Sequence, residues 1–229
     1  MAALAAELPR PARFRGLLPR ILSSLVLGPL FVAAVWFGFP WIDLVVAAAT
    51  PVLLSEWLRL TGRRPVARAL ALAYTVTAVV ALLWLRHQPP HGRETLLWVV
   101  ACVIATDTGG YFLGSLAGGA RLAPSISPGK TWSGLVGAMC FAGVASAACG
   151  LAFTLGDTVS LALTGVAIAL VAQVGDLIES AAKRRAGVKN SGNLIPGHGG
   201  LLDRVDGLIA AILAVAALRL IVGGEWPWA

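Results

Sequence analysis

Only eleven carboxylates are spread over the 229 residues, and four of them, Asp176, Glu179, Asp203 and Asp206, fall within a window of 31. On a helix, Asp176, Glu179, Ser180 and Lys183 stand at i, i+3, i+4 and i+7, a spacing that gathers them on one face. Asp203 and Asp206 repeat the i, i+3 relation after a Gly-rich basic segment, Ser180 to Leu202, that carries Arg184, Lys189, Asn190, Gly199 and Gly200. Carboxylate oxygens of this kind suit Mg²⁺ and the cations suit phosphate, so the two helix ends read as a site for a metal and a phosphorylated, nucleotide-like substrate. The plainer reading is that carboxylates at helix ends pair with neighbouring Arg and Lys. Four acids gathered beside Gly197, His198, Gly199 and Gly200 weigh against it.

His198 follows Pro196 and lies between glycines, with no second histidine close in sequence, which favours a phosphate contact or a proton-transfer role over metal ligation. A second loop, residues 116–132, combines Gly and Pro turn signals with Arg121 and Lys130. Its Gly129, Lys130 and Thr131 resemble the end of a phosphate-binding P-loop, but Pro124 stands where that motif requires Gly, so the P-loop reading fails. Lys130 can still act as a point charge for phosphate, with Ser127, Thr131 and Trp132 holding the loop or the ligand, although an ordinary topogenic lysine explains it equally well. Asp107 lies in an apolar run beside Thr106, Thr108, Gly109 and Gly110, and a carboxylate there should face the protein interior, as a secondary candidate for the site.

The elements that must position these groups are membrane helices. The chain is 58% hydrophobic and 13% charged, with a mean hydropathy of +0.81, outside the range of water-soluble domains. Successive apolar runs near the roughly 20 residues needed to cross a bilayer predict about seven spans, at 21–39, 42–58, 66–85, 95–115, 134–155, 158–178 and 204–222. The fold expectation is an all-α, polytopic integral membrane protein forming a single membrane domain over 1–229. With the N-terminus cytoplasmic, fifteen of the eighteen Lys and Arg fall on one face, and only Arg86, Arg93 and Arg219 on the other. That asymmetry predicts both irregular loops inside and the C-terminus outside. It also assigns the net charge of +7 to topology and lipid head groups, with no nucleic acid as partner. The Arg-rich opening, with Arg10, Arg13, Arg15 and Arg20, lacks a convincing cleavage site and is read as part of the mature chain. Cys102, Cys140 and Cys149, odd in number and inside apolar runs, predict neither disulfides nor a zinc site.

The run Ser180, Lys183, Arg184, Lys189, Asn190, Gly192, Ile195, Pro196, His198, Gly199, Gly200, Asp203, Arg204 and Asp206 resembles the signature of the phosphatidate cytidylyltransferase (CDP-diacylglycerol synthase) family. Ser125 to Gly134, with Ser127, Lys130 and Thr131, is similar to a second segment of that family, and Asp107, Tyr111 and Gly114 to a third. The resemblance covers about residues 100–215, the catalytic part, while residues 1–90 match only in being hydrophobic. It departs at Asn190, where the family has Asp and Asn keeps an oxygen but loses a charge, and at Ala182, where the family has a larger apolar residue. The chain is also short for the family, as though N-terminal helices were missing.

The resemblance implies cytidylyl transfer from CTP to phosphatidic acid, giving CDP-diacylglycerol and pyrophosphate, by a homodimer among the lipids of a bacterial inner membrane, with the site facing the cytoplasm. It implies Mg²⁺, alone or with a second cation, held by Asp176 and Asp203, with Lys183 and His198 also catalytic. Lys183, Arg184, Lys189 and Arg204 would bind triphosphate or lipid phosphate, helped by Lys130 and Ser127, and Asp206 would orient Arg204 or a metal-bound water. A groove between spans would take the acyl chains. Two other enzyme readings compete. A CDP-alcohol phosphotransferase is suggested by Asp203, Asp206, Gly207 and Ala210, but Ala211 stands where Arg is expected and no Asp follows. A CTP-dependent enzyme acting on an isoprenoid lipid is harder to exclude. An ion-coupled transporter is the non-enzyme reading, and it predicts acids near mid-membrane rather than at one edge.

Overall fold

The structure is a computed structural model that describes residues 17–154, 156–194, 199–223 and 226, with side chains from residue 25 onward. Its apolar runs form α1 (Leu17–Phe37), α2 (Trp41–Thr61), α3 (Pro65–His87), α4 (Gly92–Ala117), α5 (Trp132–Phe153), α6 (Thr158–Arg185) and α7 (Leu202–Val222). Among the described residues α2 to α7 are each long and apolar enough to cross a membrane, and Leu25–Phe37 of α1 is a shorter apolar helix. The all-α, polytopic expectation therefore holds, with one addition. Part of the 116–132 loop is an antiparallel hairpin of β1 (Arg121–Ala123) and β2 (Ser127–Thr131), pairing Arg121 with Thr131 and Ala123 with Ser127. The Pro and Gly that signal irregularity here mark the hairpin itself.

The helices pack in chain order, α4 along α5, α5 along α6 and α6 along α7, with α2 and α3 set beside α7. One apolar core joins α1 to α4 with α6 and α7 and includes Ile42, Leu85, Trp98 and Ile212. A second joins Leu53, Trp57 and Leu60 of α2 to Ala71 and Ala78 of α3 and to Leu202 and Ile209 of α7. That second core fixes the start of α7 against the end of α2.

Helix α6 is longer than its predicted span. Its 28 residues reach about 42 Å, against a hydrocarbon core of about 30 Å, so the helix is long enough to carry its last turns beyond an apolar layer. Ser180 to Arg185, beyond the predicted span, are the end of this helix, which puts Ser180 and Lys183 on the helical face that their spacing predicts. Lys183, Arg184 and Arg185 occupy its last turn, where cations offset the exposed carbonyls of the helix C-terminus. The loops α2–α3, α4–α5 and α6–α7 meet at this end of the bundle. At the opposite end Arg86 Nε donates to the Val35 carbonyl (2.7 Å), and His87 approaches Asp43 (3.2 Å).

Candidate functional site

Two glycine-permitted contacts build the site. A Cβ on Gly175 of α6 would lie 2.6 Å from Ala210 Cβ and 2.8 Å from the Asp206 carbonyl, so α6 and α7 approach as closely as backbones allow at this level. The neighbours of that contact, Asp176 and Asp206, consequently face one another. With Glu179, one helical turn along α6, they present carboxylate oxygens that all lie within 4.8 Å of one another. Glu179 is only 1% exposed. At an effective dielectric near 20, each such pair of charges repels by at least about 3.5 kcal/mol. The trio therefore demands cations or protons.

Two lysines supply part of that demand. Lys130, from β2, pairs with Asp176, which also accepts a hydrogen bond from Ser180 Oγ (3.2 Å). Lys183 lies between Glu179 and Asp203, with its Nζ 2.6 Å from Asp203 Oδ1. The other oxygen of Asp203 accepts from the backbone N–H of Ser191 (3.0 Å) and of Gly200 (2.8 Å). The family resemblance implies a metal held by Asp176 and Asp203; the structure gathers Asp176 with Glu179 and Asp206, and both Asp203 oxygens meet Lys183 and the α6–α7 loop.

The hairpin is tied to α6 twice, through Lys130 and through Arg184 Nε, which donates to the Ile126 carbonyl (3.1 Å). Thr131 is buried as the N-cap of α5: its hydroxyl accepts from the Gly134 N–H (3.0 Å), so its side chain is spent on the fold. Ser127 sits in β2 opposite Ala123, and Lys189 and Asn190 are exposed beyond the end of α6. Gly199 holds a φ of +91°, and a Cβ there would meet Asp203 Oδ2 at 2.6 Å, so Gly is required for the turn that brings the Gly200 amide to Asp203. His198 lies outside the described residues.

Asp107 and Arg204 share a cavity of about 440 Å³ between α1, α2, α3, α4 and α7. Its other lining groups are apolar side chains such as Phe31, Val46, Leu82 and Ile212, with Thr50 and Thr75 and the backbone of Gly28. Arg204 and Val205 of the cavity wall immediately precede Asp206, which places the charged lining of the cavity beside the acidic trio. The arrangement is an apolar chamber whose polar lining adjoins a cluster of acids, lysines and exposed basic residues, suited to an amphipathic molecule with a phosphorylated head.

A family profile described as the cytidylyltransferase family matches residues 64–222. The chain belongs to the cytidylyltransferase family. Similar proteins named phosphatidate cytidylyltransferase include one from Brucella suis, 39% identical over 187 residues, covering 80% of this chain and 64% of that protein. Another, from Haemophilus influenzae, is 37% identical over 197 residues, covering 79% and 64%. A third, from Rickettsia conorii, is 32% identical over 209 residues, covering 88% and 90%. The chain thus spans about 64% of the length of the Brucella and Haemophilus relatives.

The part matched to the cytidylyltransferase family contains Asp107, both loops and all of the acidic trio, but it begins after α2. One residue ahead of that part does not stand out in the sequence reading. Glu56, in α2, is 2% exposed and accepts hydrogen bonds from Ser191 Oγ (2.8 Å), the Leu201 N–H (2.9 Å) and the Leu202 N–H (2.8 Å). The signal was available, because an acid in an apolar helix demands partners. Glu179 was visible as part of the cluster, but its central burial required the α6–α7 contact.

Proposed function

We propose that the chain transfers a cytidylyl group from CTP to phosphatidic acid, forming CDP-diacylglycerol and releasing pyrophosphate. The observation that carries this reading is the adjacency of the acidic trio, with its lysines and basic rim, to the apolar cavity that ends at Asp107 and Arg204. An oxygen of the lipid phosphate forms a bond to the α-phosphorus of CTP as the bond to the β-phosphate oxygen breaks. The barrier lies in bringing two anions together, so positioning and charge neutralisation suffice and no protein nucleophile is needed.

The donor set fits a hard divalent cation: three carboxylates converge, and the two lysines leave their mutual repulsion incompletely offset. Asp176, Glu179 and Asp206 would hold Mg²⁺, alone or with a second cation, and when bound it would screen phosphate charge and polarise phosphate oxygens. Lys183, fixed by Asp203, and Lys130, carried by the hairpin, present ammonium groups to the phosphates. Arg184 and Lys189 stand at the exposed side for the triphosphate, and Arg204 stands where the cavity would deliver the lipid phosphate. The cavity volume is within the range of small-molecule sites and takes an acyl chain, keeping the head at the end of the bundle that carries the three loops. The asymmetry of Lys and Arg supports placing that end in the cytoplasm of a bacterial inner membrane, and the family resemblance supports a homodimer.

The deciding experiment incubates purified protein with Mg²⁺, phosphatidic acid vesicles and CTP labelled at the α-phosphate. Label should pass into a chloroform-soluble product with stoichiometric pyrophosphate, and chelation by EDTA should stop it. No turnover by the intact chain across several divalent metals would sink the reading.

A further inference from the structure

Helix α7 begins without a cap of its own. Its first position is preceded by Leu201, whose side chain cannot accept a hydrogen bond, and the opening N–H groups of any helix need acceptors. The acceptor comes from 145 residues away. Glu56 takes the Leu201 N–H on one oxygen and the Leu202 N–H on the other. The second oxygen also takes the hydroxyl of Ser191, itself only 4% exposed.

Ser191 is shared between two carboxylates, giving its hydroxyl to Glu56 and its N–H to Asp203. Gly200 adjoins both as well, since its N–H goes to Asp203 while a Cβ on it would lie 2.5 and 2.6 Å from the two Glu56 oxygens and 2.0 Å from Ser191 Oγ. Gly192 is bare for the same reason, with Glu56 Oε1 at 2.7 Å from where its Cβ would be. The two described ends of the loop, at Ser191 and Gly192 and at Gly200 to Leu202, are therefore shaped around the Glu56 carboxylate. Among the described residues no cation forms an ion pair with Glu56. Three donors and the positive end of α7 hold its charge. Leu53, Trp57 and Leu60, on the neighbouring turns of α2, pack against Leu202 and Ile209, so the carboxylate is carried on a rigid support.

We propose that Glu56 is a positioning residue of the reaction site: by pinning both ends of the 191–201 loop it sets the direction of Asp203, and through Asp203 that of Lys183. It touches neither substrate. Its kinetic consequence rests on the cytidylyl-transfer reading above, whereas its hold on the loop does not.

The test compares Glu56→Gln, Glu56→Ala and Ser191→Ala with the parent chain in lipid nanodiscs, by hydrogen exchange over residues 190–205 and by steady-state kinetics. Gln keeps the size but sets an amide donor against backbone donors, and Ser191→Ala removes one donor without adding bulk. In the Glu56 variants the Leu201 and Leu202 amides should exchange at least about tenfold faster, while exchange in α4 and α5 stays as in the parent. For all three variants kcat should fall, by about 10- to 100-fold for Glu56→Gln, with KM for phosphatidic acid near the parent value. Unchanged exchange over 190–205, faster exchange throughout the protein, or a loss of turnover no greater than the loss of folded protein would each overturn the proposal. Should Glu56→Ala fail to fold, Glu56→Gln and Ser191→Ala decide. Should the parent itself not turn over CTP and phosphatidic acid, the reaction reading falls, and the exchange measurement alone decides the hold on the loop.

Discussion

Replacing Asp203 by Asn changes one atom and the charge of a side chain that is 6% exposed and makes three hydrogen bonds. Asn offers a single acceptor oxygen. If that oxygen faces Ser191 and Gly200, the amide nitrogen confronts Lys183 Nζ, donor against donor. If it faces Lys183, the amide nitrogen confronts two backbone N–H groups. The first arrangement is the less costly, and it forfeits one charge-assisted hydrogen bond, about 1.5–3 kcal/mol. At about 1.4 kcal/mol per factor of ten, this corresponds to a drop of about 10- to 150-fold in kcat/KM if Lys183 must be fixed for the reaction. The assay measures CDP-diacylglycerol formation alongside thermal unfolding of the same preparations. A cycle with Lys183→Met isolates the coupling: once Lys183 is gone, Asp203→Asn should cost little more, so the two losses must be strongly non-additive. Activity of Asp203→Asn within about twofold of the parent, or losses that simply multiply in the double variant, would refute the reasoning.

Other outcomes follow from the same geometry. Gly175→Ala drives a methyl into Ala210 and the Asp206 carbonyl, so it should destabilise by about 1–3 kcal/mol and weaken Mg²⁺ dependence, as read by Tm and by a metal titration. Adding Ala210→Gly should restore part of the Tm, since it clears one of the two contacts. Ala49→Val adds two carbons to the wall of the apolar cavity. By displacing about two methylenes, worth about 1.6 kcal/mol, it should lower kcat/KM for long-chain phosphatidate about 15-fold while sparing a short-chain substrate. A reporter inserted between Lys183 and Lys189 should read cytoplasmic, and a reading on the other side would reverse the orientation drawn from the arginines.

The sequence was informative wherever a single physical demand acts on a residue. Apolar runs must become spans, so α2 to α7 fall close to their predicted positions, and four acids in a membrane chain must be accounted for, so the acidic cluster stands out as a candidate from sequence alone. It was less informative where two demands compete for one group. Asp203 has the type and spacing of a metal ligand, yet the loop amides and Lys183 claim both its oxygens, and only the Gly175 contact shows that Asp206 and Glu179 stand nearer to Asp176. Thr131 is likewise a hydroxyl beside a phosphate-loop lysine and also an N-cap, and the cap prevails because α5 begins there. Glu56 was hidden by distance, since nothing local to α2 announces a partner 135 to 146 residues onward. The cavity was implied by a lipid substrate but not located, because its walls are ordinary Leu, Val and Ile.

The bond between Glu56 and the start of α7 also constrains how such a chain can change. Glu56 and the α6–α7 loop must arrive at the same membrane face, and between them the chain crosses four times, through α3, α4, α5 and α6. An even number of crossings is thus obligatory. Helices between these points can be gained or lost only in pairs, whereas additions ahead of α2 face no such parity rule.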